Sequence, residues 1–221
     1  PEIIKMSPII HEFEKKKISY FILHTGQHYS YNMNRVFFEQ LELPKPKYNL
    51  DVGFGSHAEQ TGKMLIGTEK ILQREKPDII LVEGDTNTVL ASALAASKLH
   101  IIVGHVESGL RSYDYNMPEE INRILTDHCS NILFAPTEKS KQNLLRENIQ
   151  EDKIFLTGNT IVDAVFRNVK FASEKSNILN KLGLQPQEYF LVTIHRQENS
   201  DNRIRFKSIL KGLKQLHKKY N

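Results

Sequence analysis

The feature that most constrains this chain is a strict alternation of short apolar runs with amphipathic or alanine-rich stretches. Ile18–Leu23, Pro77–Glu83, Ile101–Val103, Asn131–Ala135, Lys153–Leu156 and Tyr189–Ile194 are too short for helices and read as buried strands. Helical patterns lie around and between them, over residues 1–16, 32–41, 57–76, 87–99, from 118 onward, and over 137–148, 161–182 and 203–219. Strand, helix, strand repeated in this way requires parallel strands joined by helical crossovers. The expected fold class is therefore α/β, with doubly wound parallel sheets. The composition shifts after about Asp163, so a division into residues 1–167 and 168–221 is expected. The second unit offers one strand and one helix, too little to bury a core alone, and the chain reads as cut short.

Charge and cysteine usage narrow the function class. The net charge of +4 across 221 residues owes much to the last helix, which carries Lys207, Lys211, Lys214, Lys218 and Lys219. A lysine-rich helix face of this kind is a solvated face, so no nucleic-acid partner is expected. The single cysteine, Cys129, rules out an internal disulfide framework and suits a reducing cytoplasm. It lies in an apolar helical pattern, as a buried thiol does. No apolar run reaches membrane-spanning length and no signal peptide opens the chain, so a cytoplasmic protein without a membrane partner is expected.

Polar clusters follow the strands: His24, Gln27 and His28; Asp85 and Thr86; Glu107 and Arg111; Asn159; His195, Arg196 and Glu198. In a parallel sheet these carboxyl ends share one edge, where α/β folds bind ligands. Pro118 opens a helix with Glu119 and Glu120 in its positive first turn. Glu119 and Arg123 stand one turn apart on that helix, which also fits a plain surface salt bridge. Asp85 fits a helix cap as well as a site. Gly62-Lys63 is not a P-loop, because the glycine spacing is wrong and Met64 stands where Ser or Thr belongs. No cysteine or histidine cluster suggests a metal, and no glycine-rich fingerprint suggests a nicotinamide, so no cofactor is expected. Carboxylates, a histidine and arginines suit acid/base work on an anionic substrate.

At Gly84-Asp-Thr86, His105-Val-Glu-Ser-Gly-Leu-Arg111, Met117-Pro-Glu-Glu-Ile-Asn-Arg123 and Thr193-Ile-His-Arg-Gln-Glu-Asn199 the chain resembles the non-hydrolysing UDP-N-acetylglucosamine 2-epimerases. Thr25-Gly-Gln-His28 and Gly158-Asn-Thr-Ile-Val-Asp163 match in the same order. The resemblance implies two Rossmann-like domains of glycosyltransferase-B type, the second being the start of a nucleotide-sugar-binding domain. It implies interconversion of UDP-N-acetylglucosamine and UDP-N-acetylmannosamine for cell-surface polysaccharide synthesis, by a homodimer. Carried over residue by residue, Asp85, Glu107, Glu119 and His195 fall on catalytic positions. Lys5 and Arg123 fall on positions lining the substrate cleft, and Gln27, His28, Arg111, Asn159, Arg196 and Glu198 are further substrate-binding candidates. A hydrolysing relative and a glycosyltransferase of the same fold are the alternatives.

Two positions depart from the bacterial pattern. Ser30 ends a Gln-His-x-Gln motif and Glu59 replaces an arginine, which counts against allosteric activation by substrate. The family's first strand and its uridine-diphosphate site lie outside this sequence, so the chain alone is not expected to sustain turnover.

Overall fold

The structure, a computed structural model, describes residues 2–26, 35–194, 199 and 201–220. Its elements in order are α1 (Glu2–Lys16), β1 (Leu23–His24), α2 (Arg35–Gln40), β2 (Tyr48–Asn49), α3 (His57–Glu75), β3 (Ile79–Glu83), α4 (Asn87–Lys98) and β4 (Ile102–Val106). There follow α5 (Pro118–Cys129), β5 (Ile132–Ala135), α6 (Glu138–Arg146), β6 (Ile154–Leu156), α7 (Thr160–Lys175), α8 (Ile178–Leu182) and α9 (Arg203–Tyr220). The strands β3-β4-β5-β6 form a parallel sheet in that order, and β1 and β2 form a separate parallel pair. The α/β expectation holds.

Burial explains the sheet. Val82, Val103 and Leu133 place apolar side chains against helices, and Val89, Ala93 and Ala96 of α4 pack with Val82 and Val103. Alanines on α4 let that helix approach the strands closely. Leu133, Leu144 and Ile154 make a second cluster beneath α6. Cys129 packs at the margin of the first cluster, and burial pushes its thiol pKa up, so it is a packing residue. Gly62 and Lys63 lie in the middle of α3, where no phosphate loop can form.

Helix caps are legible in local chemistry. At the start of α3, Ser56 and Glu59 form a reciprocal capping box, with Ser56 N–H donating to Glu59 at 2.9 Å. The Glu59 carboxylate is therefore used in holding its own helix end. Thr137 caps α6 through the Ser140 amide at 3.1 Å, as expected.

Two expected strands are corrected. The run Ile18–Leu23 contributes only Leu23 to β1, which pairs Leu23 with Tyr48 and His24 with Asn49. Extending that register backward sets Phe21 opposite Pro46 and Ser19 opposite Pro44, and proline has no amide hydrogen for a ladder. Tyr189–Ile194 forms no strand either. Leu191 is 90% exposed, and no neighbouring strand pairs with the segment among the described residues. The helix expected over 161–182 is interrupted at Ser176-Asn177, where the Ser176 hydroxyl accepts from the Ile178 amide.

The chain forms two compact units, one running through Glu174 and the other from Lys175 onward. The boundary expected at 167/168 falls inside α7. No described helix is long and apolar enough to cross a membrane.

Candidate active site

Register fixes where the carboxylates emerge. Glu83, the last residue of β3, stands opposite Val106, the last of β4. Asp85 follows after Gly84 and Glu107 follows directly, so both leave the sheet at its carboxyl edge from neighbouring strands. Gly84 takes φ +85°, and its amide still bonds the Val106 carbonyl at 3.2 Å. Glu107 itself sits in the left-handed region at φ +68°, where a residue with a Cβ is strained by about 1 kcal/mol or more. Strained backbone at a carboxylate on a ligand-binding edge is consistent with a functional position.

Glu107 and Asp85 are paired with different cations. The Lys5 ammonium, carried on α1, lies 2.6 Å from Glu107 and 3.1 Å from Glu83. Burial works to lower the Lys5 pKa, and the two carboxylates outweigh it and raise it. Asn159 donates to the other Glu107 oxygen at 2.9 Å while its own carbonyl oxygen accepts from the Ile161 amide at the start of α7. Asn159 thus ties Glu107 to a helix start. Asp85 pairs with the Arg123 guanidinium, and its main-chain carbonyl accepts from Asn122 at 3.0 Å, both from α5. Its side chain is therefore not the helix cap that sequence allowed; α4 starts at Asn87 after an N-cap Thr86 that makes no side-chain cap bond.

The expected Glu119–Arg123 salt bridge is not formed. Arg123 bonds Glu120 at 3.1 Å and Asp85, and Glu119 is exposed one turn upstream, on the same face as Arg123. Glu120 is buried because it gathers the loop before α5, accepting from the Ser112 and Tyr113 amides at 3.0 and 2.9 Å. Burial tends to raise the Glu120 pKa; those amides and Arg123 together hold it below the usual carboxylate range.

Arg111 does not join the site. Its side chain is 1% exposed, forks onto both Glu147 oxygens at 2.7 and 2.6 Å, and reaches Asp127 at 2.7 Å. The guanidinium is spent on a buried internal pair, because Asp127 and Glu147 offer it better partners than a cleft would. Asp127 in turn holds His105 Nδ1 at 2.6 Å and accepts from Gly109 N–H, while His105 Nε2 meets the Gly84 carbonyl at 2.8 Å. Gly109 is required there: at φ +77° a Cβ would stand 2.3 Å from the Ser140 carbonyl oxygen. This buried lattice positions the turns that bear Asp85 and Glu107.

Lys5, Asp85, Glu107, Arg123 and Asn159 are thus drawn to the carboxyl edge of β3 and β4, with Glu119 on the helix beside them. Gln27, His28, His195, Arg196 and Glu198 lie outside the described residues. Sequence reasoning missed Glu83, Asn122, His105 and Asp127, and read Glu120 only as a charge in the first turn of its helix. A charge ending an apolar strand was the available signal for Glu83; nothing in the sequence separated Asp127 from an ordinary helix carboxylate.

A family model for UDP-N-acetylglucosamine 2-epimerase matches residues 11–221. The chain belongs to the UDP-N-acetylglucosamine 2-epimerase family. A UDP-N-acetylglucosamine 2-epimerase of Methanocaldococcus jannaschii is 61% identical over 216 residues, covering 96% of this chain and 59% of that protein. A crystal structure of the M. jannaschii epimerase in complex with UDP-GlcNAc and UDP superposes with a TM-score of 0.92 at 59% identity, over 99% of this chain and 60% of that one. The UDP-2,3-diacetamido-2,3-dideoxy-D-glucuronate 2-epimerase of Pseudomonas aeruginosa is 44% identical over 98% of the chain. The fold is thereby that of the 2-epimerases, α/β of glycosyltransferase-B type. The chain spans about 60% of the length of these epimerases.

Proposed function

We propose that the protein to which this chain belongs interconverts UDP-N-acetylglucosamine and UDP-N-acetylmannosamine without hydrolysing them, as a homodimer and without a cofactor. The observation that carries this reading is the 61% identity with the M. jannaschii epimerase over 216 residues, a span that includes Asp85, Glu107, Glu119 and Arg123. The arrangement of charges supports it. An anionic nucleotide sugar needs cations, and the reaction needs opposed acid/base groups at one carbon.

The C2 hydrogen of the sugar is not adjacent to a carbonyl, so its direct removal is prohibitively uphill. Loss of UDP from C1 makes that carbon oxocarbenium-like and acidifies C2–H. As the C2–H bond breaks, its electron pair forms the C1=C2 bond of a glycal, and the C1–O pair leaves with the phosphate. Protonation of C2 from the opposite face and return of UDP to C1 give the epimer. Glu107, Asp85 and Glu119 are the groups to remove and supply the proton. Lys5 supplies the counter-charge to Glu107, and Arg123 supplies that to Asp85. His195, by its motif alone, is assigned to stabilising charge on the departing phosphate.

In the whole protein, Asp85→Asn and Glu119→Gln are each expected to lower kcat by about 100-fold or more, the scale of a lost acid/base group. Near-normal kcat in both, with folding intact, would overturn the assignment. Release of free N-acetylmannosamine in place of its UDP conjugate would instead identify a hydrolysing enzyme. Turnover confined to the diacetamido-glucuronate nucleotide would move the substrate to that sugar.

A further inference from the structure

Glu83 closes β3 with its side chain 1% exposed, and neither of its carboxyl oxygens has a hydrogen-bond partner among the described residues. The Lys5 ammonium lies 3.1 Å from one of them and closer, at 2.6 Å, to Glu107. Glu107 also has the Asn159 amide, so two carboxyl groups share one cation on unequal terms. We infer that Glu83, Lys5 and Glu107 form a charge-sharing unit, in which Glu83 is a positioning residue that stores a proton and governs how closely the common ammonium is held to Glu107. This rests on the reading of the site as an acid/base centre.

The physical reason is a surplus of buried negative charge. Two ionised carboxylates beside one ammonium leave one charge uncompensated in a poorly solvated place, and protonating the less supported partner removes it. Glu83 is that partner. The charged groups facing it are Lys5 and Glu2 from α1 and Glu107 from the end of β4, whereas α4, packed on the same strand, begins with neutral Asn87 and Thr88. Burial pushes the Glu83 carboxyl up to about 7; Lys5 pulls against this, and the Glu107 and Glu2 charges add to it.

Below about pH 7 the unit then holds Glu83 as the acid beside the Lys5–Glu107 ion pair. When Glu107 takes the proton from C2, it becomes neutral and its claim on Lys5 weakens. Glu83 can then ionise, passing its proton to solvent and taking over the ammonium. Net charge in the unit is conserved, and no electrons change hands. Glu83 acts only through its neighbours, which separates it from the groups that touch substrate.

The test is a carboxyl titration of the whole protein labelled with 13C at glutamate Cδ, with Glu83→Gln assigning the resonance. Glu83 should titrate near pH 7. It should move down by about half a pH unit or more in Glu107→Gln and up in Lys5→Met, because each variant removes one side of the sharing. The pH profile of kcat should show an inflection near pH 7 that disappears in Glu83→Gln and returns in Glu83→Asp, with KM changing less than about twofold. Glu83 titrating in the ordinary carboxylate range, or unmoved in both variants, would overturn the unit, as would an unchanged kcat profile in Glu83→Gln. A protein that folds but turns over neither nucleotide sugar would refute the proposed activity, and the titration would still decide the charge sharing.

Discussion

Lys5 and Glu107, 102 residues apart in sequence, are joined by a 2.6 Å bond that fastens α1 to the turn after β4. The bond places a cation where α/β folds bind ligands and gives a strained carboxylate its counter-charge. Lys5→Met should therefore lower kcat of the whole protein by about 10-fold to 1000-fold while leaving the far-ultraviolet circular dichroism unchanged. A variant with normal kcat would show that Glu107 does not depend on this ammonium.

Glu83 should make stability depend on pH. Its carboxyl is raised from 4.5 to about 7, so the folded state binds the proton more tightly than the unfolded chain. That contribution is complete below about pH 4.5, declines between 4.5 and about 7, and is gone above. Glu83→Gln, which cannot ionise, should match the parent near pH 4.5 and exceed it by up to about 3 kcal/mol at pH 8. Urea unfolding across this range reads the difference, and a gain that is the same at both ends would contradict it.

Arg111 should behave as a structural residue. Breaking its buried pairing with Asp127 and Glu147 in Arg111→Leu should cost about 3 to 5 kcal/mol, because it strands Asp127 without its cation. Folded variant protein should keep the parental KM. A large rise in KM with unchanged stability would return Arg111 to the substrate cleft.

The opposite sign of pH dependence is expected from Glu120. Its pKa is lowered by two backbone amides and Arg123, so its contribution to stability is present above about pH 4.5 and is lost as pH falls through the lowered value. Glu120→Ala should cost about 3 kcal/mol at pH 7 and much less at the acid end of the measurable range. Equal losses at both pH values would show that its charge is immaterial.

Much of the fold was legible because the core strands carry their own signal. Val82 and Leu133 read as buried from composition and are, although Ile79 at the start of the same strand as Val82 is exposed, and Pro118 and Thr137 mark helix starts by chemistry that needs no partner. The failures lie where a long-range partner decides. Ile18–Leu23 is strand-like by itself, and it is Pro44 and Pro46 across the ladder that shorten it. Asp85 and Glu107 could be placed on one edge from strand order alone. That Arg111 turns away from that edge, and that Glu83 shares Lys5, depends on pairings across α1, α5 and α6 that no local pattern encodes.

The proposed reaction inverts C2 through loss of its proton and of UDP. Side-chain acids that reprotonate C2 exchange with solvent between turnovers. Conversion of UDP-N-acetylglucosamine by the whole protein in heavy water, stopped at low conversion, should give UDP-N-acetylmannosamine carrying deuterium at C2 by mass spectrometry or NMR. Product that retains its original C2 hydrogen would contradict the elimination mechanism and the acid/base roles given to Asp85, Glu107 and Glu119.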